Sequence, residues 1–173
     1  MLEHNANERM LCLDVRASRS GFAVFAGVDR LIDFGVTRYS RQRGPINMAL
    51  RRSFQRLVQL HSPSLIVFRL PSRVPDERNQ RAKVAVRILR REANRQSIPM
   101  RLVSRERIRE FFKVRGLRNK QRIAVYLAEM FADLARKVPQ IRKKWQPEKF
   151  NMSVFDAVAA GVLVRSEDEG QIL

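Results

Sequence analysis

The chain has 173 residues and a hydrophobic fraction of 45%, enough for one compact domain with a sizeable core and too apolar for a disordered protein. Lys and Arg number 35 against 17 Asp and Glu, a formal charge of +18 that points to a polyanion, because each phosphate neutralised releases condensed counterions. A single cysteine, Cys12, excludes an internal disulfide and a thiolate metal cluster, and two scattered histidines, His4 and His61, do not make a zinc site.

Residues 1–8 are polar and read as a flexible tail. Three apolar runs follow, Met10–Val15, Gly21–Phe25 and Leu31–Val36, with short connections that predict an antiparallel meander. Asp14 stands inside the first of them, Met10-Leu11-Cys12-Leu13-Asp14-Val15. A carboxylate there is costly unless it does chemistry or meets a cation. Over Ile46–Leu60, Met48, Leu50, Phe54, Leu57, Val58 and Leu60 recur at helical spacing. Pro63 stops that helix, and Leu65-Ile66-Val67-Phe68 reads as a buried strand.

Arg73–Arg95 is a charged helix containing Val84, Val86, Ile88 and Leu89, with Asp76 and Glu77 placed to cap it. Ile98–Val103 is a fifth strand, and Ser104 before Arg105-Glu106-Arg107 opens another helix. A longer helix is expected over Asn119–Val138, with Ile123, Leu127, Met130, Phe131 and Leu134 on its stripe. Residues 139–150 form a basic loop around Trp145. A last helix spans Met152–Val164, and 166–173 is an acidic tail with Glu167-Asp168-Glu169.

This order predicts an α/β fold over a single domain, 9–165: a mixed five-stranded sheet, meander plus two parallel strands, flanked by helices. On the last helix Met152, Phe155, Asp156, Ala159 and Leu163 share a face, so Asp156 points at the sheet. Asp14 and Asp156 are thus two inward carboxylates; taken singly, each is also explained as a buried Asp held by an ion pair. No stretch approaches the length of a membrane span, and the N-terminus has no signal-peptide core, so a soluble cytoplasmic protein is expected. The basic residues are spread along the chain rather than gathered on one amphipathic helix, which argues against a membrane partner.

Arg101, Arg105, Arg107, Arg109, Lys113, Arg115, Arg118, Lys120 and Arg122 crowd one stretch opposed only by Glu106 and Glu110. Intrahelical pairs such as Glu106–Arg109 and Glu110–Lys113 account for a few of these charges and no more. Lys120 and Arg122 begin a helix, where free backbone N–H groups assist phosphate contact. Arg142-Lys143-Lys144-Trp145 is a second basic cluster; indole stacking on an unpaired base is worth about 1–3 kcal/mol, and Trp145 serves equally as a loop anchor. Arg16, Arg115, Arg118, Lys120, Arg122, Lys143, Lys144 and Trp145 are the candidate nucleic-acid contacts. There is no Gly-rich phosphate loop and so no nucleotide cofactor site.

Four segments together resemble the RuvC-like Holliday-junction resolvases of the ribonuclease-H-like superfamily. They are Leu13-Asp14 with Gly21-Phe22-Ala23-Val24; Pro63-Ser64-Leu65-Ile66-Val67-Phe68; Lys120-Gln121-Arg122-Ile123 after Gly116; and Ser153-Val154-Phe155-Asp156-Ala157-Val158-Ala159-Ala160-Gly161. The likeness runs over about residues 9–165 in the family's order. It implies a ribonuclease-H-like sheet and phosphodiester hydrolysis by two magnesium ions about 4 Å apart, held by three or four carboxylates. Asp14 and Asp156 match two of those carboxylates and would be the catalytic and metal-binding pair. Arg69 stands where the family carries its catalytic Glu, and Ser153 where the last helix carries a further Asp. Val15-Arg16 replaces the family's Pro-Gly, and Ser72 stands where some members place an aromatic that works at the junction centre.

A guanidinium at a metal position repels a divalent cation and pairs with carboxylates, so Arg69 is expected to neutralise Asp14 and Asp156 in the metal's stead. Asp76, Glu77, Glu106 and Glu129 are the residues able to restore a third ligand. The expectation is a nucleic-acid-binding relative with an impaired metal site, favouring branched DNA over RNA. Alternatives are an active magnesium-dependent endonuclease and a basic assembly factor of a nucleoprotein complex. A homodimer is expected from the family, with the helix Asn119–Val138 as its face.

Overall fold

In the computed structural model, which describes residues 8–27, 29–39, 46–141 and 149–170, the three apolar runs form the expected meander. Its strands are β1 (Arg9–Val15), β2 (Arg19–Ala26) and β3 (Arg30–Arg38). The chain crosses through helix α1 (Ile46–His61) to β4 (Leu65–Arg69), parallel to β1, then through α2 (Glu77–Arg95) to β5 (Met100–Val103), parallel to β4. The order β3-β2-β1-β4-β5 puts β1 at the centre of a mixed five-stranded sheet. Helices α3 (Arg105–Lys113) and α4 (Lys120–Met130), a 3₁₀ turn (Ala132–Lys137) and α5 (Met152–Asp168) complete the fold.

The two-residue period of the strands sorts the core into two layers. Leu11, Leu13, Val15, Ile66 and Phe68 face α1 and α2, where they meet Leu50, Phe54, Val86 and Leu89. Met10, Cys12, Ala23, Phe25 and Val67 face the other way, toward Ile108 and Phe112 of α3, Leu127 of α4 and most of α5. Each large side chain so buried contributes roughly 1.5–3 kcal/mol. Cys12 is fully buried, and burial pushes its thiol up, so it acts as a small hydrophobe. The same alternation carries Asp14 and Arg69, at the C-terminal ends of β1 and β4, to the α5 side.

Gly21, the cross-strand partner of Asp14, lets α5 come close: a Cβ there would lie 2.1 Å from the carbonyl oxygen of Ser153. That approach seats the first turns of α5 on β2 and sets Asp156 over the end of β1. Helix starts follow their caps. Asp76 accepts from the Asn79 N–H at 2.7 Å, Ser104 from that of Arg107 at 3.1 Å and Asn119 from that of Arg122 at 2.9 Å.

Several boundaries differ from the expected ones. The charged helix begins at Glu77 rather than Arg73, because Asp76 caps it. The helix expected over Asn119–Val138 breaks at Phe131, whose φ of −126° and ψ of 94° are extended; Leu134 still reaches the core through the 3₁₀ turn. The last helix continues past Val164 to Asp168. Of the acidic residues assigned to a tail from 166, Glu167 and Asp168 are instead helical and paired, Glu167 with Arg107 at 2.5 Å and Asp168 with Arg101 at 2.6 Å. Met48, Leu60 and Met130, expected on apolar stripes, are exposed, as is Val84 of the charged helix. The expected N-terminal tail, apart from Glu8, lies outside the described residues. Among the described residues no helix is long and apolar enough to cross a membrane.

Candidate functional site

Asp14 and Asp156 meet over the C-terminal ends of β1 and β4. Three cations meet them there. The Arg69 Nη1 donates to Asp14 Oδ1 at 2.7 Å, and its Nη2 lies 3.9 Å from Asp156 Oδ2. Arg16 bridges the two acids, its Nε donating to Asp14 Oδ2 at 2.7 Å and its Nη2 to Asp156 Oδ2 at 2.6 Å. Lys120 Nζ, from the first turn of α4, donates to Asp156 Oδ2 at 2.8 Å. Asp14 is 1% exposed and Arg69 7%, so their pair is removed from water.

Such removal is costly for each ion alone and tolerable only because the charges are matched and hydrogen-bonded. Burial pushes the Asp156 carboxyl up, yet Arg69, Lys120 and Arg16 together hold it below the usual carboxylate range. Burial likewise opposes the charge on Arg69, and the Asp14 and Asp156 carboxylates outweigh it, leaving the guanidinium above its ordinary value. The Asp156 carboxylate and the Arg69 guanidinium are thus each held in the charged form by the other members of the cluster.

Arg69 was expected to neutralise both acids by itself. The geometry divides that work: Arg69 belongs mainly to Asp14, Lys120 to Asp156, and Arg16 to both. Arg16 and Lys120, taken from the sequence as phosphate contacts, are thus part of the cluster. A signal for Arg16 was present, since it follows Asp14 by two residues on an extended chain and so shares its side of the sheet. For Lys120 there was none, because its partner is 36 residues away on another helix.

Ser153 is fully buried one turn before Asp156. It packs against Gly21, and its Oγ donates to the Phe150 carbonyl at 3.1 Å. None of the four acids considered as a third ligand joins Asp14 and Asp156. Asp76 caps α2, Glu77 pairs with Arg81, and Glu106 and Glu129 are exposed on α3 and α4. Among the described residues no three His, Cys, Asp or Glu side chains converge.

The cluster lies where two clefts of about 670 and 690 Å³ meet, sharing Arg69, Arg105 and Lys120. One runs between α3, α4 and α5, with Ile108, Ile123 and Phe155 below and Arg109, Lys113 and Arg118 above. The other runs past Arg16, Arg19 and the start of α2 with Arg78 and Arg81. Together they make one groove with cations along its length. Arg118 belongs to it, whereas Arg122 is exposed on α4 outside its lining. Arg115 faces away: its guanidinium stacks 3.8 Å above the Phe111 ring and donates to the Phe111 carbonyl, beside a separate cavity. Lys143, Lys144 and Trp145 lie outside the described residues.

No family model and no curated protein matches the chain by sequence. Solved structures do match. Thermus thermophilus RuvC in complex with a Holliday junction substrate superposes with a TM-score of 0.68 at 15% identity, covering 94% of this chain and 96% of the other. A second structure of Thermus thermophilus RuvC gives 0.67 at 14% identity over the same shares. The yeast mitochondrial Holliday junction resolvase Ydc2 gives 0.62 at 12% identity, covering 98% of this chain and 85% of that one. At such identities the likeness establishes the fold, the ribonuclease-H-like sheet of RuvC.

Proposed function

We propose that this protein binds branched DNA along the groove that crosses Arg69, Arg105 and Lys120, and that its charge cluster takes the place of a metal centre. The observation that carries the reading is the engagement of Asp14 and Asp156 by Arg69, Arg16 and Lys120 at 2.6–2.8 Å. Magnesium demands near-octahedral oxygen ligands at about 2.0–2.1 Å. Here both oxygens of Asp14 and one of Asp156 already accept from cations, and among the described residues no third carboxylate is at hand. This donor set does not fit a pair of magnesium ions. The fold shared with RuvC, one of whose structures holds a Holliday junction, supports branched DNA as the partner.

The cluster has a second effect. Two bare carboxylates beneath a phosphodiester would repel it, by about 3 kcal/mol each at 5 Å for an effective dielectric of about 20. Fixed guanidiniums and an ammonium remove that repulsion without a dissociable ion, so affinity should not depend on divalent metal. The phosphates then meet Arg105, Arg109 and Arg118 along the groove, contacts that position a duplex arm without reading its bases.

A labelled four-way junction tested beside a linear duplex, in magnesium, manganese and EDTA, checks this. The junction is expected to bind more tightly than the duplex, equally in metal and in EDTA, and to remain uncut. Metal-dependent cuts that disappear in Asp14→Asn would establish a working nuclease and overturn the reading. Arg69→Glu supplies a complementary readout: with a third carboxylate in place, manganese should raise the melting temperature of the variant and leave that of the wild type unchanged. Ser153→Asp is a poorer restoration, since Ser153 is fully buried against Gly21 and a further carboxylate there would be crowded as well as desolvated.

A further inference from the structure

We propose that the outer face of α1 and α2 is a second DNA-binding surface, so that the protein bridges two duplexes, one on each side of its sheet. The choice of DNA rests on the reading of the groove given above; the existence of the surface does not. Helix α1 contains no acidic residue, and α2 sets Glu77 and Glu92 against seven Lys and Arg. Neither acid relieves the outer face. Glu92 is buried and accepts from Gln55 Nε2 at 3.2 Å, while Glu77 is held by Arg81 at the groove end of α2. Arg51, Arg52, Arg56, Arg87, Arg90 and Arg91 are all exposed, and among the described residues none has a carboxylate within 4 Å.

These six stand on one layer. Leu50, Phe54 and Val58 of α1 and Ala82, Val86 and Leu89 of α2 point into the core, which turns the arginines outward. The Gln55–Glu92 hydrogen bond ties the two helices side by side. Arg52 and Arg56, like Arg87 and Arg91, are like charges four residues apart, an arrangement that costs a helix about 0.2–0.5 kcal/mol per pair. Counterions or a polyanion must balance it. Guanidinium forks suit phosphate oxygens, and α2, about 28 Å long at 1.5 Å per residue, can follow a duplex backbone over several phosphates. The only aromatic residue in the two helices, Phe54, is buried, so the face lacks the exposed aromatic anchors with which interfacial helices enter a bilayer.

This surface looks away from the arm of the groove between α3, α4 and α5, and the other arm reaches only the first two turns of α2, at Arg78 and Arg81. The strands send Leu11, Leu13, Ile66 and Phe68 toward α1 and α2 but Asp14 and Arg69 toward α5, so the sheet itself lies between them. A single straight duplex cannot lie along both.

The test uses the full chain with donor-labelled and acceptor-labelled duplexes, the protein held below the total duplex concentration so that two duplexes must share one molecule. The wild type is expected to give energy transfer. A variant carrying Arg52→Gln, Arg56→Gln, Arg87→Gln and Arg91→Gln, with helicity checked by circular dichroism, should still bind one duplex but lose the transfer. Its salt dependence should fall by a slope of up to about 3–4 if all four arginines contact phosphates. A groove variant, Arg105→Gln with Arg109→Gln and Arg118→Gln, should lose the transfer as well. Transfer undiminished in the α1–α2 variant overturns the inference and leaves the groove reading intact. Transfer undiminished in the groove variant overturns the groove reading and leaves the α1–α2 surface standing. Duplex RNA or phosphatidylserine vesicles that displace duplex DNA from the α1–α2 face overturn the choice of DNA.

Discussion

The two sides of the sheet carry comparable numbers of cations and treat them oppositely. On the α3–α5 side several of them are compensated, although among the described residues Arg105, Arg109 and Arg118 of the groove are not. Asp156 meets Lys120, Glu167 and Asp168 at the end of α5 meet Arg107 and Arg101, and Glu110 lies 3.6 Å from Lys113. On the α1–α2 side the arginines of the outer face have only solvent and one another. A count along the chain favours residues 101–122 as the most basic surface, because acids that arrive from 36 to 67 residues away do not enter it. What a partner meets is the charge left after the fold has paired what it can. By that measure the α1–α2 layer is the stronger field.

The two sides should differ most at the buried cluster. Arg69→Met leaves Asp14, 1% exposed, with Arg16 alone, and removing one member of a buried pair costs about 3–5 kcal/mol. At roughly 2–4 °C per kcal/mol for a chain of this size, the melting temperature should fall by on the order of 10 °C. Adding Asp14→Asn should return part of the loss, because the unpaired charge goes with it. Arg87→Gln, on the outer layer, should stay within about 0.5 kcal/mol of wild type in urea unfolding. If Arg69→Met cost no more than Arg87→Gln, the distinction between the two sides would have no energetic content.

Much of this was legible in the sequence where apolar pattern or position decided it. The apolar runs set five strands, and Asp14 and Asp156 were read as inward-facing because each sits among core residues of its own element. What escaped depended on partners distant in the chain. The polar Ser166-Glu167-Asp168 looks like the start of a tail until Arg101 and Arg107 are beside it. Phe131 carries no Pro or Gly to announce that α4 ends, and Leu134 keeps helical spacing although it is reached by a 3₁₀ turn. Lys120 reads from the sequence as a phosphate contact, and only Asp156 at 2.8 Å shows it to belong to the charge cluster.

The Asp156 carboxyl lies below its ordinary value of 3.8, which is a stabilising contribution fully present above the unfolded-state value and lost as pH falls through the folded-state one. The difference in unfolding free energy between wild type and Asp156→Asn should therefore be constant above about pH 5 and shrink as pH drops below 3.8. Arginine does not titrate in that range. The corresponding difference for Arg87→Gln should have no such step, and urea titrations from pH 6 to 2.5 would reveal one if it existed. A pH-independent Asp156→Asn difference would mean that the carboxyl gains nothing from Arg69, Lys120 and Arg16.

The smallest effect probes the compensated side at its rim. Glu167→Gln with Asp168→Asn frees Arg107 and Arg101, whose side chains are about half exposed. Pairs of this kind contribute about 0–1 kcal/mol, so the double variant should lose little stability in urea. Its binding to duplex DNA should change more than its folding. Two uncovered guanidiniums that reach phosphates would steepen the salt dependence by up to about 1.8 in slope, raising affinity chiefly below 0.1 M salt. Glu77→Gln, on the partner helix, frees one arginine at the end of the groove and should add no more than half as much. An unchanged slope in the double variant would place Arg101 and Arg107 away from the bound nucleic acid. Their pairing with the end of α5 would then serve to extend that helix to Asp168, and the outer arginines of α1 and α2 would account for a larger share of the measured salt dependence.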